Sequence, residues 1–581
     1  MNPSIPNPAP LTKRWVVQKP DPDTVARLVE SLKINPALCQ LLVLRGITTF
    51  EEAKDFFRPQ LEHLHDPFLM KGMHEAVKRI AEAVEWHERI LVYGDYDVDG
   101  TTAVSVVYDF LRRHYPDLRD DSLAYYIPHR YREGYGLSKE GIDYAKKHGY
   151  HLVITLDCGI KSADLVRYAQ SLGIDVIIGD HHLPDEELPK AFAILNPKQP
   201  GCEYPYKELS GCGIGFKLVQ ALCIHWKLPQ EAAYRYLDLV ATSIAADLVP
   251  IDGENRVLAF YGLKRAAESP SIALQTLREL TGLTQKMTIS DLVFVIGPRV
   301  NAAGRMDDAK KAVALFTSDD PEEVKRIALE LQNDNTDRRE KDRHTTEEAL
   351  ELLRTDPLTE TRKATIVYSP DWHKGVVGIV ASRLVEQFYR PTIVLTHSNG
   401  RISGSARSVI GFNIYEALHA CRDLLEAYGG HFYAAGMTLL PQNLDSFRER
   451  FEEVVAGTIK PSQLNPEIGI DAVLSFADIT PAFYNILRQF EPFGPANPRP
   501  VFMTRGVHNY RGLSRVVKDS HIRFVVHERG GVSMDGIGFG LAAKFPYVDA
   551  GPFDMVYGVE ENVFQGTTRL QLKVIDVRPS Y

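Results

Sequence analysis

The chain has 581 residues, of which 44% are hydrophobic and 25% charged, with a formal net charge of −9. That balance fits folded globular domains and excludes collagen-like or disordered chains, and at roughly 100–200 residues per domain it predicts about three or four domains. No apolar run approaches the roughly 20 residues of a membrane span, segment 1–17 lacks the apolar core of a secretory signal, and six scattered cysteines without a C-x-x-C pair argue against disulfides or a cysteine zinc site and predict a reducing cytoplasm.

Residues 1–20 are Pro-rich and read as extended, and 21–85 as helical. From about 88 to 250, apolar runs alternate with amphipathic stretches, the pattern of a parallel sheet. Three runs stop in acid or imidazole. "RILVYGDYDVDGTT" (89–102) ends in Asp95, Asp97 and Asp99, "HLVITLDCGI" (151–160) in Asp157, and "IDVIIGDHH" (174–182) in Asp180, His181 and His182. Segments 230–246 and 256–283 read as helices, and 321–354 as one long solvated helix or a broken pair that connects domains. A second α/β unit follows, with strands at 364–369 and 391–396 and helices at 375–389 and 411–427. Segment 461–471 reads as a linker. Beyond it, short β-rich runs with Gly/Pro/Asn breaks predict a small barrel or sandwich.

Strands buried on both faces read as continuous apolar runs, and parallel strands present their C-terminal ends at one edge, where open α/β folds bind ligands. Asp95, Asp97, Asp99, Asp157, His181 and His182, with Asp247 as a further candidate, would therefore converge. Hard oxygen ligands with imidazole suit Mn²⁺, Mg²⁺ or Zn²⁺, and bridging carboxylates can hold two ions for an in-line phosphoryl displacement. A lone Asp-Gly is usually a turn or helix cap, but three strand ends together outweigh that reading. Gly94 and Gly100 let the first loop turn sharply. "DVDGTT" also fits the D-x-D-G-T loop of haloacid-dehalogenase phosphatases, with Asp97 as nucleophile and Asp99 as general acid, although that loop does not call for "DHH" at another strand end.

Further along, Arg299, Asn301 and Arg305 lie in "GPRVNAAGRM", which is either a thin-backboned phosphate grip or a surface turn. His373, Ser405, Arg407, Ser408 and His431 sit in Gly-rich segments that read as phosphate-cradling loops. Residues 461–581 hold 12 Lys/Arg and 12 Asp/Glu, with a basic stretch over 505–529 that interleaves with Tyr510 and Phe524. Such a stripe suits single strands, though alternation places Phe524 in a core. Cys158 reads as a small buried residue, and His129, in the loop "PHRYREGYG", is left unassigned.

The strings "GDYDVDG", "DCGI", "GDHH" and "AADLVP" (245–250) closely resemble the DHH phosphoesterase superfamily. "GPRVNAAGRM" (297–306), "WHKGVVGIVASRL" (372–384), "GSARS" (404–408), "GGHFYAAG" (429–436) and "PFGPANPRPVF" (492–502) look like its RecJ-type nuclease branch, and together they cover roughly 75–581. The resemblance implies an N-terminal extension with helices over 1–74, a DHH domain over 75–320, a connecting helix over 321–358, a DHHA1 domain over 359–460 and an oligonucleotide-binding (OB) domain over 461–581, with the cleft between DHH and DHHA1. It implies a single-stranded-DNA exonuclease that works 5′ to 3′ in repair and recombination with two Mn²⁺ or Mg²⁺ ions. Asp97, Asp99, Asp157, His181 and Asp247 would be ligands, with Asp157 and Asp247 bridging, and Asp95 a ligand or a support. His182 would face the scissile phosphate, and Asp180 would orient His181 by accepting its other ring N–H. Arg299, Asn301, Arg305, His373, Ser405, Arg407, Ser408 and His431 would bind substrate. A monomer working with a helicase and a single-strand-binding protein is expected. The alternatives are a phosphodiesterase of cyclic dinucleotides or short oligonucleotides, and a non-catalytic nucleic-acid-binding scaffold.

Overall fold

A computed structural model of the chain describes residues 13–115, 122–284, 286–306, 308–564 and 567–580. They form two compact units. One gathers Arg305–Asp308 and Glu330–Ile468, the other Val16–Gly304, Ala309–Leu329 and Gly469–Tyr581.

In the larger unit, strands β1 (Ile90–Gly94), β2 (Leu123–Tyr126), β3 (Leu152–Leu156), β4 (Asp175–Gly179) and β5 (Ala193–Leu195) pair in parallel in the order β2-β1-β3-β4-β5. All residues of β1 and β3 are buried, which is why they read as unbroken apolar runs. The chain leaves β1 toward β2 on one side and returns to β3 on the other. That reversal opens a crevice at the carboxyl ends of β1 and β3, where Asp95 to Asp99 and Asp157 follow directly. Helix α1 (Val98–His114) starts at this end of the sheet, and α2 (Gly211–His225), α3 (Leu237–Ala246) and α4 (Gly297–Met306) contact its first turns through Gly211, Ser243 and Asn301.

The same unit contains the C-terminal strands Phe502–Asn509, His521–Glu528, Ser533–Gly538, Phe553–Phe564 and Thr567–Pro579. The first pairs with both the second and the fourth, so the ladder of these strands returns to its start. Phe524 lies in the core, as its alternation predicts. The N-terminal helices Pro22–Leu32, Pro36–Leu44 and Phe50–Phe57 are not a separate appendage. Leu38 and Leu42 share one hydrophobic core with Phe476, Phe502, Phe524 and Tyr557. Packing the apolar faces of the two segments against each other removes both from water.

Helix α5 (Pro321–Thr355) runs unbroken for 35 residues. It is less solvated than its charge suggests, because Asn335, Asp342, Thr345 and Ala349 are buried. In the smaller unit, Asp342 pairs with Arg383 at 2.7 Å. That unit carries a five-stranded sheet of β6 (Thr365–Tyr368), β7 (Thr392–Ser398), β8 (Arg401–Arg407), β9 (Ala427–Gly430) and β10 (Ala434–Leu439) in the order β9-β10-β8-β7-β6, with only β6 and β7 parallel. Helices α6 (Val377–Phe388) and α7 (Leu444–Thr458) belong to it. The helix expected over 411–427 is confined to Ile414–His419, because the chain enters β9 at Ala427. Segment 461–471 is not a bare linker but holds a 3₁₀ turn and the strand Glu467–Ile470.

Candidate metal centre and phosphate-binding residues

The loop after β1 folds tightly over the first turn of α1. A Cβ on Gly94 would lie 2.3 Å from Val104 Cγ2, and one on Gly100 would lie 2.5 Å from the Asp95 carbonyl oxygen, so only glycine fits at either place. Asp97 is the N-cap of α1, its Oδ1 accepting from Gly100 N at 3.0 Å. The structural role of an Asp before a helix and the ligand role thus coexist in one residue. Asp95 is buried, with Oδ1 accepting from Gly136 N at 3.3 Å and Oδ2 without a hydrogen-bond partner.

Asp99 points from α1 at the N-terminus of α2. Its oxygens accept from Gly211 N, Cys212 N and Ser243 Oγ, each at 2.7 Å. Gly211 is required there, since a Cβ would stand 2.6 Å from Asp157 Cβ. Asp157 sits just past β3 in the left-handed region at φ 61°, held by its N–H to Gly179 O at 2.8 Å. Such conformations concentrate at functional sites. Asp247 ends α3, and the next residue, Leu248, has φ 56°.

These carboxylates meet at His181. Its Nε2 lies 3.2 Å from Asp157 Oδ1, 3.6 Å from Asp247 Oδ2 and 3.7 Å from Asp99 Oδ2. Asp157, His181 and His182 form one group whose ligand atoms converge, and Asp99, His181 and Asp247 form a second. Asp95 Oδ2, Asp157 Oδ1 and His181 Nε2 are all buried without a hydrogen bond. Buried polar atoms are rarely left so, and acceptor atoms without donors are what a divalent cation satisfies. The donor set of carboxylates and imidazole suits Mn²⁺ or Mg²⁺.

The electrostatics agree. Burial and the charge of Asp97 hold Asp95 well above the usual carboxylate range. Burial and then Asp99 raise Asp97. Burial, Asp99, Asp97 and Asp247 raise Asp157 strongly. Partial burial together with Asp99 and Asp97 pushes Asp247 up to about 9. Burial and mutual repulsion thus favour the protonated form of Asp95, Asp97, Asp157 and Asp247, and a bound cation would favour their ionised form.

Asp180 does not support His181 as expected. It accepts at Oδ1 from the His182 ring, 2.7 Å from Nδ1, and from His182 N at 3.1 Å, and at Oδ2 from Ile160 N at 3.0 Å. Burial works against charge on both partners, but their mutual hydrogen bond prevails: Asp180 is held below and His182 above their ordinary values. The other face of the imidazole meets a residue that sequence reasoning missed. Tyr135 Oη lies 3.2 Å from His182 Nε2 and donates to Asp157 O at 3.3 Å. The Gly- and Tyr-rich string around His129 was its only signal. In the same loop, Arg130 stacks over Tyr96, 4.7 Å from the ring centroid, and Tyr96 meets Tyr135 edge-on.

Arg299 and Asn301 lie on a helix, α4, rather than on a surface turn. Arg299 donates to Val295 O at 2.5 Å. Asn301 accepts from Val98 N at 3.2 Å, which ties α4 to the start of the helix that carries Asp99. In the smaller unit, Arg305 donates to Gly375 O at 3.0 Å, beside His373, whose Nδ1 accepts from Gly375 N at 3.1 Å. Ser405 and Arg407 are on β8, and Gly429 and Gly430 on β9, so "GSARS" and "GGH" are largely strand rather than loop. Gly404 reflects cross-strand crowding, since its Cβ would meet Leu395 Cδ2 at 2.4 Å. Arg407 Nη1 donates to Ser405 Oγ at 2.9 Å, and a Cβ on Gly378, at the start of α6, would lie 3.0 Å from that oxygen and 3.2 Å from Arg407 Nη2. A serine, an arginine and a helix N-terminus thus converge at one spot suited to an anion. Ser408 instead turns its hydroxyl to Phe412 O at 2.7 Å, and His431, at the end of β9, is exposed.

Profiles of known families match three segments. The DHH family, N-terminal domain, matches residues 89–244, the DHHA1 domain 362–457, and the RecJ OB domain 470–576. Fold and cluster therefore define a class, a DHH-domain protein carrying DHHA1 and OB domains. A single-stranded-DNA-specific exonuclease RecJ of Bacillus subtilis is 39% identical over 90% of this chain and 66% of its own length. The RecJ of Salmonella typhimurium is 35% identical over 97% of this chain and 99% of its own. The crystal structure of Thermus thermophilus RecJ in complex with Mn²⁺ superposes with a TM-score of 0.82 at 28% identity, covering 98% of this chain and 80% of that one. The chain belongs to the RecJ family. The DHH match includes Asp97 and its loop.

Proposed function

We propose that this chain is a single-stranded-DNA-specific exonuclease that hydrolyses phosphodiester bonds from the 5′ end with two Mn²⁺ or Mg²⁺ ions, in DNA repair and recombination. The observation that carries the proposal is the set of buried atoms Asp95 Oδ2, Asp157 Oδ1 and His181 Nε2, none of which makes a hydrogen bond, at the switch point of the parallel sheet. Asp95, Asp97, Asp99, Asp157, His181 and Asp247 would hold the ions. When bound, the ions supply a nucleophilic water near neutral pH and positive charge for the phosphate oxygens.

The chain's own groups do the rest. Gly211 N, Cys212 N and Ser243 Oγ fix Asp99 so that it need not reorganise during turnover. His182, oriented by Asp180, whose hydrogen bond favours the protonated ring, would face the phosphate and offset its developing charge, with Tyr135 as its resting partner. Arg299, Asn301, Arg305, His373, Ser405, Arg407 and His431 would position the strand, with Ser405 and Arg407 gripping a phosphate at the start of α6, while Ser408, its hydroxyl spent on Phe412 O, would shape the turn beside them. Residues 75–320 would carry the chemistry, 359–460 the phosphate grip and 461–581 the polymer track. A monomer acting with a helicase and a single-strand-binding protein in the reducing cytoplasm completes the reading. All six cysteines are unpaired, and no helix among the described residues is long and apolar enough to cross a membrane.

End-labelled single-stranded DNA incubated with Mn²⁺ tests the proposal. Progressive release of mononucleotides from the 5′ end, lost in Asp157→Ala, is expected. Cleavage confined to dinucleotides, or binding without cleavage, would replace it with one of the alternatives.

A further inference from the structure

The smaller unit has an open sheet edge set in a slot. Among the described residues, strand β6 pairs only with β7. Thr365 N donates to Pro391 O at 2.8 Å and Ser369 N to Leu395 O at 3.3 Å. Strand alternation therefore turns the N–H and C=O groups of Ile366 and Tyr368 to the opposite side, where none of them has a hydrogen-bond partner among the described residues. A cavity of about 680 Å³ lies along this edge, walled by the C-terminal end of α5 and by α7, within the roughly 300–1,000 Å³ typical of ligand sites.

The walls identify what would fit. Leu352, Leu353, Ile366 and Val367 give apolar contact, while Asp356, Asp445, Glu449, Glu452 and Glu453 face only Arg362 and Arg448. Arg362 answers Asp356 at 2.6 Å and Arg448 answers Asp445 at 3.5 Å. Glu452 is spent on the edge itself, accepting from Lys363 N at 2.7 Å and Ala364 N at 2.9 Å, which stops any added strand at that end. Glu449 and Glu453 remain exposed, with no ion-pair partner among the described residues. They are like charges at i,i+4 on one helix face, an arrangement that destabilises a helix unless a cation lies between them. Sheet edges are normally blunted by lysine, proline or a cover. This edge keeps its hydrogen-bonding groups and adds negative charge beside them.

We propose that the free edge of β6 is a docking slot for an extended, lysine- or arginine-bearing segment of a partner protein, which adds as a strand while its cationic side chains meet Glu449 and Glu453. Main-chain pairing would give affinity and alternate side chains specificity. The sign of the charge excludes nucleic acid and acidic tails, so the slot is separate from the path of the DNA. The probe is a fluorescent peptide of about six residues alternating lysine and valine, enough to span β6 at ~3.3 Å per residue. It is titrated by anisotropy into the full chain with Mn²⁺ present. Saturable binding is expected, weakened at least about tenfold in the double variant Glu449→Lys/Glu453→Lys, whose rate of DNA degradation stays within about twofold of the parent. A peptide of equal charge with proline at the central valines should bind at least about tenfold more weakly, because proline cannot donate to the ladder. Absence of saturable binding, equal binding of the proline peptide, or binding indifferent to the double variant would overturn the proposal.

Discussion

Replacing Asp180 by Asn tests how the imidazole of His182 is controlled. The Asp180 carboxylate accepts three N–H groups, from Ile160 N, His182 N and the His182 ring. Asn offers one carbonyl oxygen and turns an NH₂ toward a donor, so at least one buried N–H loses its partner. A hydrogen bond to a charged group is worth about 1.5–3 kcal/mol, and an unmet buried donor costs about 1–3 kcal/mol. If His182 acts as a cation on the phosphate, the variant should lose about 10–100-fold in kcat/KM. Because Asp180 holds His182 above its ordinary value, its loss should also move the alkaline fall of the rate to lower pH. The assay is kcat/KM on an end-labelled oligonucleotide across pH for Asp180→Asn, His182→Ala and the double variant. In the His182→Ala background the second substitution should cost less than about threefold. An equal loss in both backgrounds would refute the coupling and place Asp180's effect elsewhere, for instance on His181.

Three further outcomes follow from the geometry. In the metal-free fold Asp95, Asp157 and Asp247 are raised above their unfolded values, so the stability they contribute is full below the unfolded carboxylate range and is lost as pH rises toward the folded values, about 9 for Asp247. The thermal shift produced by Mn²⁺ should therefore grow from about pH 6 to about pH 8.5, and a constant or shrinking shift in scanning fluorimetry would contradict the cluster's protonation. Gly211→Ala puts a methyl 2.6 Å from Asp157 Cβ, an overpacking of about 1–3 kcal/mol, and should weaken Mn²⁺ binding measured by calorimetry while the chain still folds. Arg407→Ala should weaken binding of 5′-phosphorylated single-stranded DNA about 10–100-fold and leave Mn²⁺ binding unchanged, whereas equal losses would point to a folding defect.

Much of the site was legible because it follows from strand ends. Buried parallel strands read as apolar runs, and the residues after β1, β3 and β4 have to emerge at one edge. Asp97 shows the limit of local reading, since its cap and its place in the cluster share one sequence signal. The choice of Asp180 for His182 rather than His181 depends on side-chain direction past a strand end, which alternation does not encode. Tyr135 reaches the imidazole from a loop whose path is set by tertiary packing. Ser405 and Arg407 read as loop because glycines and serines surround them, yet those small residues answer crowding between β7, β8 and β10. The shared core of the N-terminal helices and the C-terminal strands joins segments more than 400 residues apart, and no local pattern reports such a pairing.

The central claim is a two-cation site built on Asp157 and His181. Diffraction at the manganese edge from crystals grown with Mn²⁺ tests it most directly. Two anomalous peaks about 3.5–4 Å apart, both within bonding distance of Asp157 and one of them bound by His181, are predicted. A single peak, or peaks away from Asp157, would contradict the account.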